Sequence, residues 1–240
     1  MSALLIDDIS VEFGRFRAID RLSLAIDYGE IRGVIGPNGA GKTTVLDVVS
    51  GITRPKAGRV VLDGGLEITR ASETLIARSG VRRKFQKPSV FDALTAAENV
   101  AVGVEGRLRR TAPAAEVRRR ALDLLDAVGL ADEADRQAGE FSHGQKQWLE
   151  IAMVLGGDPK VLLLDEPVAG LSDEETEKTA ALVRSLKRPD RAIVVVEHDM
   201  GFVETIADRV TVLHEGRTLF EGSMAGARAD ARVIEVYLGR

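Results

Sequence analysis

Apolar positions along this chain fall into two alternating textures. Short runs rich in Val, Ile and Leu occupy residues 4–6, 22–26, 31–35, 59–62, 81–85, 161–164, 192–196, 210–213 and 218–220. Runs of this length, bounded by turn residues such as Phe13-Gly14 and Tyr28-Gly29, read as strands. Elsewhere the period becomes that of a helix. Residues 43–50 form one such stretch, closed by Gly51. Val117, Ala121, Leu124, Leu125 and Val128 fall at i, i+4, i+7, i+8 and i+11, the stripe of an amphipathic helix closed by Gly129. From about residue 88 to 157 strand signals fade, and Ala and Leu at helical spacing dominate.

The runs at 161–164 and 192–196 are apolar throughout, and a helix is expected before and after each. That alternation predicts an α/β fold with a mostly parallel sheet covered on both faces. The expected organisation is one domain over 1–240, with residues 1–87 and 158–240 as the core and 88–157 as a helical insert. On the insert, Arg118, Arg119 and Arg120 share an outer face near Arg107, Arg109 and Arg110. They read as a solvated face or, alternatively, as a contact for phospholipid headgroups or an acidic partner.

Composition narrows the function classes. The 240 residues carry 33 Lys+Arg against 37 Asp+Glu, a net charge of −4, and 4% aromatics. That argues against nucleic acid as a partner, which calls for a basic excess or stacking platforms. With no cysteine, disulfides, thiolate metal sites and cysteine nucleophiles are all excluded. The acidic start, with Asp7, Asp8 and Glu12, does not read as a signal peptide. The apolar stretches, such as 192–196, are too short to span a bilayer.

Gly36-Pro37-Asn38-Gly39-Ala40-Gly41-Lys42-Thr43 matches the glycine-rich phosphate-binding pattern completely, between an expected strand and an expected helix. Glycines let successive backbone N–H groups turn inward to phosphate oxygens, and the helix adds the positive end of its dipole. Lys42 is placed to reach the outer phosphates and the Thr43 hydroxyl to ligate Mg²⁺. The buried strand at 161–164 ends in Asp165-Glu166. A parallel strand delivers its last residues to the edge where the phosphate loop lies. Asp165 is then expected to hold Mg²⁺ through its water shell. Glu166 either polarises the attacking water or caps the next helix.

Phe141-Ser142-His143-Gly144-Gln145 resembles the signature sequence of ATP-binding-cassette (ABC) ATPases. Ser142 and Gln145 also stand at capping-box spacing, so a helix start that can offer N–H groups to an anion is expected there. The resemblance covers essentially the whole chain and implies a P-loop NTPase core with an antiparallel β subdomain and a helical subdomain. It implies ATP and Mg²⁺ as cofactors, with Thr44 joining residues 36–43 around the nucleotide. Gln86 resembles the glutamine that senses Mg²⁺ and the membrane partner, and His198 the switch histidine that contacts the γ-phosphate. Phe13 resembles the aromatic that stacks on adenine, with Phe16 close by as the alternative.

In such ATPases Ser142, Gly144 and Gln145 would meet the γ-phosphate held by a second ATPase subunit, identical or not. His143 stands where glycine is commonest, and Ser172 where aspartate is. Within the family, residues 83–88, 145–150 and 233–240, with Asp47 and 167–170, resemble the branched-chain-amino-acid branch of importers and, more closely, its urea-transporter members. The implied partners are transmembrane permease subunits and, indirectly, a periplasmic solute-binding protein. The implied place is the cytoplasmic face of the inner membrane, peripherally. Arg83, Lys84 and Lys87, which flank Gln86, either pair with acids on a permease helix or serve solubility. A soluble relative acting on DNA or ribosomes is the competing class, disfavoured by the single cassette and the acidic balance. A scaffold that does not hydrolyse ATP would be expected to lack Glu166 or His198.

Overall fold

Two sheets share the chain, and the sequence period explains which residues each one buries. The computed structural model describes residues 2–108 and 112–238. Arg109, Arg110, Gly239 and Arg240 lie outside the described residues. The chain begins with β1 (Ser2–Phe13) and β2 (Phe16–Asp27), then β3 (Ile31–Ile35), α1 (Lys42–Ser50), β4 (Ala57–Leu62), β5 (Leu66–Glu67), α2 (Glu73–Arg78) and β6 (Val81–Lys84). Then come α3 (Ala96–Leu108), α4 (Ala114–Ala127) and, after two short 3-10 turns, α5 (His143–Leu155). The remainder is β7 (Val161–Asp165), α6 (Asp173–Ser185), β8 (Ala192–Val196), α7 (Met200–Ile206), β9 (Arg209–His214), β10 (Arg217–Gly222), α8 (Met224–Ala229) and α9 (Ala231–Leu238).

The smaller sheet is antiparallel, in the order β2-β1-β4-β5, and the larger runs β10-β9-β3-β8-β7-β6. Within the larger sheet β9, β3, β8, β7 and β6 are mutually parallel, and β10 pairs antiparallel with β9. Strands covered on both faces read as unbroken apolar runs, and alternate residues of β7 enter different cores. Leu162 and Leu164 face the helices α3–α5. Val161 and Leu163 face α1 and the antiparallel sheet. Ile193 and Val195 of β8 divide from Ala192, Val194 and Val196 in the same way. The parallel strands β3, β6, β7 and β8 therefore end at one edge, each handing over to a loop.

Several elements depart from the sequence expectation. β1 and β2 extend well beyond residues 4–6 and 22–26, because their polar residues alternate with core residues on a half-solvated antiparallel sheet. β6 ends at Lys84, and Phe85 is exposed. α2 and β5 lie in a segment that reads only as polar. In the helical region, Val117, Ala121 and Leu125 of α4 pack into the core with Val128 and Leu130, and Gly129 takes the left-handed φ of 75°. Arg118, Arg119 and Arg120 pair with Asp135, Asp123 and Glu116 at 2.8, 2.9 and 2.7 Å. That is the pattern of a solvated helix face.

Candidate active site

β3 runs straight into the phosphate loop. Gly41, the residue before α1, has φ 99° and provides no capping side chain. A Cβ at Gly41 would lie 2.7 Å from the Ala18 carbonyl oxygen and 2.7 Å from Ile19 Cδ1 of β2. Only glycine fits, and the first amides of α1 keep no side-chain partner. The Lys42 ammonium donates to the carbonyls of Gly36 (2.7 Å) and Pro37 (3.1 Å), at the base of the loop. Burial pushes Lys42 down from the usual lysine range, and the carboxylates of Glu166, Asp165 and Glu197 oppose that shift. Asn38 and Gly39 are exposed, Pro37 is half-buried and Ala40 is buried, so the loop presents its tip to solvent. Thr43 is exposed and Thr44 half-buried on the first turn of α1.

β7 brings the acids to the same edge. Asp165 is 1% exposed. Its Oδ2 accepts from Arg83 Nη2 at 2.6 Å, while its Oδ1 is buried with no hydrogen-bond partner. Burial pushes the Asp165 carboxyl up from its ordinary range, and Arg83 opposes this. Glu166 takes a left-handed φ of 45°, unusual for a non-glycine residue, and its amide donates to the Val196 carbonyl at 2.9 Å. The Gln86 amide donates to Glu166 Oε2 at 2.6 Å, so the segment after β6 reaches the end of β7.

β8 supplies two more groups. Glu197 is fully buried and accepts from the amides of Val168 and His198, both at 3.1 Å, which fixes the turn after β7 to the turn after β8. Burial pushes its carboxyl up, opposed by those backbone amides. The His198 ring is exposed, its Nδ1 3.6 Å from Glu197 Oε2.

The structure thus gathers residues 36–44, Gln86, Asp165, Glu166 and His198 at one sheet edge. The oxygen donors expected there (the Thr43 hydroxyl, the Gln86 amide oxygen and the Asp165 carboxylate) are hard ligands suited to Mg²⁺, and the orphaned Oδ1 of Asp165 fits such a role. Phe13 and Phe16 pair across the tip of the β1–β2 hairpin, 52% and 61% exposed.

The signature residues make a separate group. Ser142 Oγ accepts from the Gln145 amide at 3.2 Å, and Gln145 Oε1 accepts from the Ser142 amide at 3.0 Å. Their neighbours are the loop at 169–172 and α6. His143 Nε2 lies 3.1 Å from the Ala169 carbonyl oxygen. A Cβ on Gly144 would come within 2.4 Å of Glu175 Oε1, so this glycine permits a close approach. Glu175 in turn completes a capping box with Ser172 at the start of α6. Both departures from the commonest family pattern, His143 and Ser172, therefore have local hydrogen-bonding roles. Behind the Ser142–Gln145 box, Ile151, Ala152 and Leu155 are buried, while Trp148 is half-buried and donates its Nε1 to Thr179 Oγ1 at 2.9 Å.

One expectation is corrected. Arg83 and Lys84 are 8% and 0% exposed, so they belong to the interior and cannot serve as solubilising charges or meet a partner's acids. Lys87 is exposed. Lys84 Nζ donates to the Asp165 carbonyl at 3.3 Å. Glu150 of α5 accepts from the Phe85 amide at 3.3 Å. Burial pushes its carboxyl up to about 7, opposed by Lys84. The signal for these residues was faint: two charges inside a run read as a strand, and an acid within the helix that follows the signature.

A glycine-rich loop opening a helix, with two strand-end carboxylates beside it, defines the phosphate site of a P-loop nucleoside triphosphatase. Residues 19–169 match the family model of the ABC transporter, and the chain belongs to that family. It is 34% identical over 249 residues to the high-affinity branched-chain amino acid transport ATP-binding protein BraF of Pseudomonas aeruginosa, covering 98% of this chain and 97% of the relative. It superposes over 100% of both chains on the ADP conformation of MJ1267, an ATP-binding cassette of an ABC transporter, with TM-score 0.90 and 28% identity. A dimeric post-hydrolysis state of the cassette MJ0796 bound to ADP and Pi matches 92% of this chain and 98% of its own, with TM-score 0.82 and 28% identity. The chain is an ATP-binding ATPase.

Proposed function

We propose that this chain is the ATP-hydrolysing subunit of an ABC importer, with the reaction centred on Glu166. The convergence of Lys42, Gln86, Asp165 and Glu166 on one sheet edge carries the reading. The loop amides and Lys42 bind the β- and γ-phosphates. Thr43, Gln86 and Asp165 hold Mg²⁺, which when bound neutralises charge on the phosphate oxygens. Glu166 accepts the proton of the attacking water, and His198 contacts the γ-phosphate. Phe13 stacks on adenine. Ser142, Gly144 and Gln145 act on the nucleotide of a second subunit, a reading supported by the likeness to the MJ0796 cassette, whose post-hydrolysis state is dimeric.

Gln86 is the hinge by which residues 88–157, as a helical subdomain, follow nucleotide state and move the permease. No helix of the described residues is long and apolar enough to cross a membrane, and we place the chain peripherally, on the cytoplasmic face beneath permease subunits that receive solute from a periplasmic binding protein. Urea is the solute favoured by the sequence resemblance. The name of the BraF relative favours a branched-chain amino acid. Uptake of labelled urea and leucine by the reconstituted transporter separates the two. ATP-independent uptake of both would overturn the proposal.

A further inference from the structure

Arg83 lies within β6, a strand covered on both sides, where an unpaired charge is costly. Its side chain is 5% exposed. Nη1 donates to Asp47 Oδ1 at 2.6 Å and to Ser50 Oγ at 3.3 Å, both on α1. Nη2 donates to Asp165 Oδ2 at 2.6 Å. The guanidinium carbon stands 4.9 Å from the centre of the Phe85 ring, next to Gln86. One side chain thus joins the phosphate-loop helix, the strand-end aspartate and the base of the Gln86 segment.

The division of its nitrogens matters. An arginine facing a single carboxylate favours the two-pronged contact that occupies both oxygens. Here Asp47 and Ser50 hold Nη1, Nε is buried without a partner, and Nη2 alone reaches Asp165, whose Oδ1 remains without a partner. We propose that Arg83 is a positioning residue for ATP hydrolysis: anchored by Asp47 and Ser50, it holds Oδ2 of Asp165 and leaves Oδ1 turned toward the Mg²⁺ shell. The proposal rests on the reading of Asp165 as a carboxylate of that shell.

Two measurements test it: ATP affinity by calorimetry in EDTA, and the Mg²⁺ concentration that half-saturates ATP hydrolysis. Arg83→Met should leave the EDTA affinity at the parent's value and raise the Mg²⁺ midpoint about 10–100-fold, the usual cost of losing a partner behind a metal ligand. Arg83→Lys keeps the charge but cannot span two carboxylates, and should not restore the midpoint. Asp47→Ala frees Nη1 to cover Oδ1 and should shift the midpoint the same way by less. The double variant of Arg83→Met and Asp47→Ala should be no worse than Arg83→Met alone.

An unchanged or lowered midpoint in Arg83→Met, or full rescue by Arg83→Lys, leaves Arg83 as counter-charge only and overturns the proposal. Asp165→Asn is the control. If it too leaves the midpoint unchanged, the metal reading of Asp165 falls; if it shifts the midpoint and Arg83→Met does not, only the positioning role falls. Circular dichroism checks folding. Should Arg83→Met not fold, Asp47→Ala decides the matter, since Asp47 is a partly exposed residue of α1.

Discussion

Two helix starts carry the candidate phosphate contacts, and they are built in opposite ways. α1 begins after Gly41 with no capping side chain, its first amides open and Lys42 buried beside the acids of the site. α5 begins with a complete capping box, in which Ser142 and Gln145 satisfy each other's amides. An open start with a lysine can hold a triphosphate by itself. A capped start keeps its shape without a ligand and has fewer donors left to offer. The hydrogen bonds of α5 also run to the Ala169 loop and α6 rather than to the phosphate loop. On the proposed reading, α1 binds the nucleotide of its own chain and α5 completes the site of a neighbour.

The largest effect should come from the capped start. Ser142→Arg places a bulky cation where a second subunit's γ-phosphate would dock, so turnover should vanish while ATP binding to the single chain persists. Loss of the cap itself costs about 0.5–2 kcal/mol of stability, which thermal melting monitors. ATPase rates equal to the parent's would return the reaction to a single chain and leave α5 without a role in it.

Glu166→Gln comes next. It keeps the shape and the contact with Gln86 but loses the proton acceptor, so single-turnover hydrolysis should slow by about 10²–10⁴-fold with binding intact. Retention of most of the activity would pass the base role to His198.

Lys42→Ala sharpens the other half. A charge-assisted hydrogen bond contributes about 1.5–3 kcal/mol, so ATP should bind roughly 10–100-fold more weakly by calorimetry. Binding at parental strength would mean that the open amides alone suffice.

The smallest functional effect concerns how α5 is fastened to the Gln86 segment. Glu150, held up to about 7 by burial, keeps its proton in the folded chain over a range where the unfolded chain, near 4.5, has lost it. Its folded pKa is raised, so its contribution to stability falls as pH rises from about 4.5 to 7 and then levels off. The whole span is on the order of 3 kcal/mol. Glu150→Gln is neutral throughout and should flatten that slope when melting temperatures at pH 5 and pH 8 are compared. An identical slope in the variant would put the dependence on other groups, such as Glu197.

Much of the fold was legible because it is locally encoded. β3, β7 and β8 are runs of five buried residues with no polar interruption. Gly51 ends α1 in the left-handed conformation its position suggested. The Ser142–Gln145 box needs only residues three apart. β1 and β2 were less legible, since their register contains shifts at residues 6–9 and 9–12 that break the alternation. α2 has only six residues, of which Ile76 alone is buried, too short for a periodic signal.

By itself the sequence determined the phosphate loop, the order of strands and helices around it, and the two acids that close β7. These follow from backbone turns, helix ends and periodicity, all read within a few neighbours. Only the tertiary structure decided what the charges near Gln86 do. Arg83 reads as a surface cation along the chain, yet it meets Asp165 82 residues away and Asp47 36 residues away. Glu197 joins the ends of β7 and β8 across 29 residues. The cost of burying a charge is set by the partners that folding brings to it, and no local pattern names those partners.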